Sequence, residues 1–386
     1  MKKKDRLKLR KIVIFIILSA ILFITLSVPS FAKDTGDMPD GYRDAVDSLG
    51  EEGAEHLKDG MYSDDPSVVG EAVSQMSDSR FWIEVVFDEI ENRLSSTALL
   101  FAKLCGLLVL ASVFGALGRS LSSDTLSGAV RFCTTTAIFA AIIHIQAEHL
   151  RSVEQFFGRL LAMMGTMIPV TGTVWAMGGN VGTASVGTSA LYVFLNVCEG
   201  LCAKSLLPVC CLFTALALCN TLSPEMGLRG FSGTLKKIYT FFLGMIMTIL
   251  MATLSSQTTL SAAADSTTAR AARLVSSNVI PMVGGAVGDT LRTVATSVQY
   301  LKSVVGIGGI ILILLLLLPV LISLILTRLV FLLCSGVAEM LGCDTESRFL
   351  SEIGGVYGIM IAVVSISSVM FIFALTVFSK TVVALG

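Results

Sequence analysis

Two cysteines, Cys198 and Cys202, have the spacing of metal ligands on a helix. Positions four apart lie on one helical face, so the two thiols could form half of a metal site. The three histidines, His56, His144 and His149, lie far from them in the sequence. We therefore predict no metal site, and we interpret the nine cysteines, which lie in or beside apolar segments, as small apolar side chains.

Three further stretches have part of the spacing of a chemical motif. Gly182–Ser189, "GTASVGTS", has the two glycines of a phosphate-binding loop, but Thr188 occupies the position that requires lysine. Gly285–Asp289, "GAVGD", approaches the GxGD loop of intramembrane aspartyl proteases, but Ala286 replaces its first glycine. In "HIQAEH" the glutamate is not placed as in the HExxH zinc motif, and an interfacial cap is the expected role of the histidines. We predict that the chain is not an enzyme, that it uses no cofactor and that it binds no nucleic acid.

Charged residues inside apolar segments are better candidates for function. Each costs roughly 2.5 to 3.5 kcal/mol at the centre of a membrane helix, so it should face protein or water. Such residues here are Lys103, Glu199, Lys204 and Glu339, with Asn196 one turn before Glu199. Glu199 and Lys204 could pair with each other or line a pore, and the lysines could instead reach the membrane interface.

The composition predicts the elements that must position these residues. Apolar residues make up 54% of the 386 residues and charged residues only 15%, and the mean hydropathy is +0.80. Residues 304–326 contain no charge over 23 positions, which is enough for a membrane-spanning helix. The sequence predicts an all-α, polytopic membrane helix bundle.

The chain begins with the features of an export signal. A basic head precedes an apolar run and the small residues of a cleavage site, so residues 1–32 are predicted to be a signal peptide, with an uncleaved anchor as the alternative. Residues 33–94 are then extracytoplasmic, and positions 33–93 carry seventeen acidic residues against five basic ones. Their last part, "FWIEVVFDEIENRL", is predicted to be an interfacial helix on the membrane surface or a helix packed on its own domain.

The remaining chain divides into membrane units. Residues 95–155 are predicted to form a first membrane hairpin, and about seven spans are expected in total. Ile168-Pro169-x-x-Gly172 recurs as Ile280-Pro281-x-x-Gly284, and "LLPV" at 206–209 recurs at 317–320. We interpret this echo as an internal duplication, with repeat 1 over 156–256 and repeat 2 over 257–386. The polar stretch from Ser255 to Lys302 is expected to form an extracytoplasmic amphipathic helix within repeat 2.

Each repeat contains a proline- and glycine-rich segment that is predicted to be broken or re-entrant. Lipid cannot satisfy freed backbone groups, so such breaks survive where they are buried in protein or line water. The alternative is close helix packing through small residues. The candidate pore-lining or packing residues are Pro169, Gly172, Gly178, Gly179, Gly182, Asn196, Glu199, Lys204, Pro281, Gly284, Gly285, Gly288 and Asp289.

The order of these segments resembles a known family. The stretches "MGTMIPVTGTV", "ALYVFLNVCEG", "SSNVIPMVGGAVGDTL" and "GCDTESRFLSEIGG", together with the signal and the acidic segment, resemble the stage III sporulation protein AE family of endospore-forming bacteria. The resemblance covers about residue 40 to the C-terminus and implies a multi-pass protein of the mother-cell membrane that surrounds the forespore. It also implies other stage III sporulation operon membrane proteins as partners, and stage II sporulation protein Q through the complex.

The leading hypothesis is a channel or export-gate subunit of the secretion-like complex that joins the two cells. We expect a homo-oligomer in contact with membrane lipids. A self-contained secondary transporter, with Glu199 in its substrate or proton site, is one alternative. A non-conducting membrane scaffold is the other.

Overall fold

The computed structural model describes residues 37–39, 41–50, 54–120, 124–222, 228–279 and 284–380. Within these ranges the chain forms helices and turns and no strand, which confirms the all-α prediction. The signal peptide, residues 1–32, lies outside the described residues, and so does Pro281.

Among the helices whose bounds the described residues give, two short ones precede seven long ones. A 3₁₀ turn, Asp59–Tyr62, separates the first two, and a π-helical turn, Glu199–Ala203, joins α5 to α6. The helices are α1 Tyr42–Asp47, α2 Pro66–Met76, α3 Ser79–Ser120, α4 Asp124–Met177, α5 Val181–Cys198, α6 Lys204–Leu222, α7 Leu228–Val279, α8 Gly284–Met340 and α9 Asp344–Lys380.

In the described residues, six helical segments are long and apolar enough to cross a membrane. They are α3, α4, the α5–α6 unit, α7, α8 and α9. The count is one below the seven expected from the sequence, because residues 190–203 and 206–222 form one continuous path instead of two crossings. The π-helical turn keeps this path helical, and Pro208 lies inside α6 without ending it.

Side-chain contacts give the direction of each helix. Phe331 packs on Tyr357 near one end of the α8–α9 pair, and Gly306 approaches Ser379 near the other, so these helices are antiparallel. In α4, Phe139 packs on Phe349 and Trp175 on Phe378, so α4 runs parallel to α9. We call the end of the bundle at Trp175 and Phe378 the upper end, and the end at the α8–α9 turn the lower end.

The most apolar helix lies in the centre of the bundle. In α8 the most apolar window is 83% buried inside the protein, whereas the corresponding windows of α3 and α7 are each only 17% buried. Large apolar side chains of α3 and α7 are exposed, among them Val113 and Phe241. The outer helices therefore present the apolar surface that suits lipid, and α8 and α9 supply most of the core.

The N-terminal acidic segment packs on the upper end. Tyr42 of α1 reaches the backbone at Gly308 of α8, and Gly70 of α2 lies against Tyr300. Trp82 and Val85, in the first turns of α3, are buried. Because α3 runs without interruption from Ser79 to Ser120, the stretch "FWIEVVFDEIENRL" is the beginning of a spanning helix, and its buried face fits the alternative of a helix packed on its own domain.

The polar stretch from Ser255 to Lys302, expected to form an extracytoplasmic amphipathic helix, belongs to two long helices in the described residues. Its first part continues α7 as far as Val279, and its last part begins α8 at Gly284. The polarity of this stretch did not require a helix boundary at Ser255, and its extracytoplasmic position stays a prediction. Both helices thus extend beyond their candidate spans, Gly230–Asp265 and Thr293–Met340.

A narrow cleft lies between α4 and α8 beside a proline. Pro319 is inside α8, and it removes a backbone donor that would otherwise serve the carbonyl of Leu315. Leu315, Pro319, Ser152 and Gln155 are among the residues that line the cleft, which has room for about one water molecule. Polar side chains of α4 thus lie beside the carbonyl that the proline leaves without its usual partner.

Candidate functional site

The proline- and glycine-rich segment of repeat 1, Met167–Gly187, is interrupted at Gly178–Asn180, which is later than Pro169. Helix α4 continues through Pro169 and ends at Met177, so the expected break at Pro169 is wrong. Pro169 is exposed on its helix, where its ring does not disturb the core. Thr171 and Thr173 donate 2.8 Å hydrogen bonds to the carbonyls of Ile168 and Val170, so their hydroxyls find partners within the helix around the proline.

Three residues, Gly178, Gly179 and Asn180, make the interruption. Gly179 has a φ of 78°, a left-handed conformation that glycine adopts without steric cost. The amide of Asn180 donates to the carbonyl of Trp175 and that of Gly179 to the carbonyl of Ala176, both at 3.0 Å. This pair of bonds is the Schellman arrangement that ends many helices. The turn reverses the chain so that α5 runs back beside α4.

The first turn of α5 receives its cap from another helix. Asn180, at the N-cap position, makes no side-chain capping bond. Instead, the carboxylate of Asp265 in α7 accepts hydrogen bonds from the amides of Gly182 at 3.1 Å and Thr183 at 2.7 Å. It also accepts one from the Thr183 hydroxyl at 2.8 Å. A negative charge at a helix N-terminus is favourable because backbone N–H groups and the helix dipole point at it.

Glycines hold α4 and α5 close together. A side chain added at Gly172 would come within 2.6 Å of Thr188 Cγ2. One added at Gly187 would come within 2.6 Å of Trp175 Cη2. At Gly172 the small-residue packing alternative therefore accounts for the glycine within a single chain. Gly187 was not among the candidate residues; it is the second glycine of the rejected phosphate-loop pattern Gly182–Ser189, and that pattern gave no signal of this packing.

The outward side of α5 combines small and polar residues with the exposed side chains of Val186, Tyr192 and Val193. Gly182, Ser185, Ser189, Asn196 and Gly200 are all exposed and follow one another at intervals of three, four, seven and four residues, which puts them on one helical face. We call these five residues the α5 polar face. Ser189 donates to the carbonyl of Ser185, and Asn196 donates to the carbonyl of Tyr192, each at 2.8 Å. Two of the polar groups thus bond to their own helix while the face itself remains open.

Glu199 and Lys204 form an ion pair across the π-helical turn. Lys204 Nζ lies 2.7 Å from Glu199 Oε1, and the two side chains are 72% and 43% exposed, respectively. The sequence left open whether these residues pair, line a pore or reach the membrane interface. Within the single chain, they pair with each other. The pair lies at the lower continuation of the α5 polar face and adds charge to it.

The second candidate segment begins α8. Gly284, Gly285, Gly288 and Asp289 lie in its first two turns. Their side-chain surroundings lie outside the described part of the chain. Their role in lining or packing stays a prediction.

The residues considered for catalysis lie apart from this face. His149 is not an interfacial cap: its Nδ1 lies 3.1 Å from the Tyr357 hydroxyl and its Nε2 lies 3.1 Å from the Thr327 hydroxyl, between α4, α8 and α9. Cys198 and Cys202 are buried beside Ser367 of α9. Among the described residues, no third cysteine, histidine or carboxylate joins them.

Comparison with known proteins identifies relatives for most of the chain. Residues 70–381 match the sequence profile of the family described as stage III sporulation protein AE. The chain is 21% identical over 300 residues to the stage III sporulation protein AE of Bacillus subtilis strain 168, an alignment that covers 77% of this chain and 74% of that protein. No solved structure matches it.

Proposed function

Because the chain belongs to the stage III sporulation protein AE family, and so has a role in sporulation, we propose that it is a channel or export-gate subunit of a secretion-like complex between mother cell and forespore. The conduit lies between chains, and the α5 polar face borders it. The proposed partners are other stage III sporulation operon membrane proteins, further copies of this chain and, through the complex, stage II sporulation protein Q.

The α5 polar face is the observation that carries this proposal. Residues Val181–Thr221 form one of the candidate spans, yet one side of its upper half exposes two serines, an asparagine and two glycines beside Tyr192 and Val193. Polar groups in a spanning helix face the bundle interior, a partner or water, because hydrocarbon leaves them unsatisfied. In one chain this side faces outward, and Ser189 and Asn196 each make only a bond to their own helix, so water or another subunit is the partner that we propose for the remaining polar groups.

The packing inside one chain favours a conduit between chains. Gly172 and Gly187 bring α4 and α5 into close contact, and α8 fills the bundle centre with buried apolar side chains. The cleft beside Pro319 accommodates only about one water molecule. A path for a larger solute is therefore better placed on the outer side of the α4–α5 pair.

The proposed location is the mother-cell membrane around the forespore, with residues 33–94 outside the cytoplasm. The distribution of charge supports this orientation. Acidic residues dominate positions 33–93, and α1 and α2 pack at the upper end. Lys236, Lys237 and Arg348 belong to the lower part of the bundle, near the α8–α9 turn. Basic residues are retained on the cytoplasmic side of membranes, so the lower end is cytoplasmic in this proposal.

Cysteine labelling tests the proposal. Ser185→Cys, Ser189→Cys and Asn196→Cys are made in a chain whose exposed native cysteines, Cys133, Cys211 and Cys219, are replaced by serine. The matched controls are Val109→Cys and Val113→Cys on α3, whose native side chains are 47% and 56% exposed and apolar. A small, charged, water-soluble thiosulfonate is applied to sporulating cells.

We expect the three α5 positions to react and the two α3 positions, which face lipid, to stay unlabelled. If the α5 positions react in detergent but are silent in the assembled complex, they form a dry contact, and a scaffold replaces the channel. If they react while the native mass corresponds to a single chain, a self-contained transporter replaces the between-chain conduit.

A further inference from the structure

The upper part of α3 has an apolar stripe that faces away from the bundle. Ile83, Phe87 and Leu94 are 55%, 67% and 55% exposed, and Ile90 is half-buried. Their spacing of four, three and four residues is that of the apolar seam of a coiled coil. We call these four residues the α3 seam.

The stripe is distinct from the side of α3 that packs on its own chain. Trp82, Val85 and Glu89 are buried, and Glu89 also pairs with Arg93 one turn later. In this part of α3, buried and exposed apolar residues therefore occupy different faces. The buried face accounts for most of the attachment of α3 to the bundle; of the α3 seam, Ile90 also packs against the core, while Ile83, Phe87 and Leu94 remain exposed.

Lipid is a poor partner for most of this stripe. The apolar segment that follows, residues 94–117, has 24 positions and spans about 36 Å at about 1.5 Å per residue, which already exceeds a hydrocarbon core of about 30 Å. Phe87 precedes Leu94 by two turns and so lies about 10 Å beyond that layer. The side chains next to it are Glu84, Asp88 and Glu91, all exposed, and carboxylates are unfavourable near anionic lipid headgroups.

The charge beside the stripe indicates the kind of partner. Glu84 directly follows Ile83, and Glu91 directly follows Ile90. In a heptad whose seam residues are at a and d, both glutamates are at position e. Coiled coils place at e and g the charges that select a partner. The other flank carries Val86 and Arg93, and Arg93 is already paired with Glu89. A second copy of this helix would therefore offer the two glutamates no basic residue.

We infer that the α3 seam docks an amphipathic helix of a different protein, one with an apolar stripe flanked by lysine or arginine. The docking site lies just beyond the membrane at the upper end of the bundle. It is independent of the proposed conduit, because it uses another helix and another surface.

A designed peptide tests this inference. A fluorescent helical peptide with leucine at the seam positions and lysine at the flanking positions is added to the full chain in nanodiscs of zwitterionic lipid, and binding is followed by anisotropy. Two comparison peptides carry glutamate in place of lysine or the same residues in scrambled order. Empty nanodiscs report binding to lipid alone.

The variants separate the seam from the general surface. Phe87→Ser removes the most exposed seam residue, and the double variant Glu84→Gln, Glu91→Gln removes the charge. Val68→Ser, on α2, is the matched control, because Val68 is 42% exposed and apolar but lies outside the seam. Hydrogen exchange of α3 in each variant checks that the helix remains folded.

We expect the lysine peptide to bind wild type and Val68→Ser equally and to bind Phe87→Ser more weakly by roughly tenfold or more, since a buried phenylalanine contributes about 1.5–3 kcal/mol. Its binding to the glutamine double variant should weaken and lose most of its dependence on salt. Equal binding of lysine and glutamate peptides, equal binding to Phe87→Ser, or no binding to wild type would each overturn the inference. So would a disulfide between two copies of an Ile83→Cys variant in the assembled complex, which would make the seam a self-contact.

Discussion

The carboxylate of Asp265 accepts a 2.7 Å hydrogen bond from the backbone amide of Thr183, which lies 82 residues earlier in the chain. One side chain of α7 thereby caps α5, the helix that carries the candidate polar face. The position of that face depends on a contact between two spanning helices, and not on the turn at Gly179 alone.

Replacing Asp265 should loosen the start of α5. Asp265→Ala removes three hydrogen bonds to Gly182 and Thr183, and loss of a capping side chain costs about 0.5–2 kcal/mol. We expect a lower free energy of unfolding in detergent and faster hydrogen exchange at residues 181–185. Glu154→Gln, an exposed carboxylate on α4, is the control and should change neither. Unchanged exchange in Asp265→Ala would contradict the capping role.

A side chain at Gly187 should separate α4 from α5. In Gly187→Ala the new Cβ would lie within 2.6 Å of the Trp175 ring, and overpacking of this kind costs about 1–3 kcal/mol. We expect a lower melting temperature and a change in Trp175 fluorescence. Gly244→Ala on α7 is the matched control, because nothing lies within 4 Å of that position and alanine is the better helix former. If both variants are equally stable, the close approach at Gly187 is not a constraint.

The two lysine–glutamate pairs should differ in strength because they differ in exposure. Lys236 Nζ lies 3.0 Å from Glu352 Oε2, joining α7 to α9, with the side chains only 15% and 17% exposed. Removing one member leaves a largely buried charge, so Lys236→Met and Glu352→Gln should each destabilise the fold. A double-mutant cycle should give a coupling energy of roughly 1–3 kcal/mol.

The exposed pair Glu199–Lys204 provides the comparison. Its side chains are 72% (Lys204) and 43% (Glu199) exposed, so the same cycle with Glu199→Gln and Lys204→Met in detergent should give less than about 1 kcal/mol. A larger coupling for the exposed pair than for Lys236–Glu352 would show that burial does not set their relative strength.

The stability of α2 should depend on pH through Asp65. Its side chain caps α2, accepting hydrogen bonds from the Ser67 hydroxyl at 2.7 Å and from the Ser67 amide at 2.8 Å. These bonds hold the pKa of Asp65 below its usual range, which is about 3.9 in unfolded chains. Because the folded pKa is the lower one, the stabilisation is fully present above about pH 4 and is lost as the pH falls through the folded pKa.

Unfolding of wild type and Asp65→Asn between about pH 2 and pH 7 measures this effect. The difference in unfolding free energy should be constant above about pH 4 to 5 and should shrink at lower pH. A difference that is the same at all pH values would mean that the charge of Asp65 does not contribute to the cap.

Some features of the site could be predicted from particular residues. The glycines between Met177 and Val181 indicated an interruption, because Gly179 can adopt a positive φ and the neighbouring residues are apolar enough for a span. The charges of Glu199 and Lys204 in an apolar segment indicated a polar surface in the membrane, and the structure places both beside the α5 polar face. Pro169 misled the prediction, because a proline inside a long apolar helix need not end it. Asp265 could not be connected with Gly182 from the sequence, since nothing local relates two residues so far apart.

The sequence by itself determined the class of this protein, an all-α membrane bundle of the sporulation family. Three properties that can be read along the chain were enough: its apolar composition, its uncharged stretches of spanning length and the order of its segments. Only the tertiary structure decided which of these helices is central and which faces outward. Val304–Leu326 and the apolar part of α3 look alike as spanning segments, yet α8 is enclosed while α3 is exposed. The reason is that hydropathy measures how readily a side chain leaves water, and burial by lipid and burial by other helices satisfy it equally. The choice between them depends on contacts between distant parts of the chain.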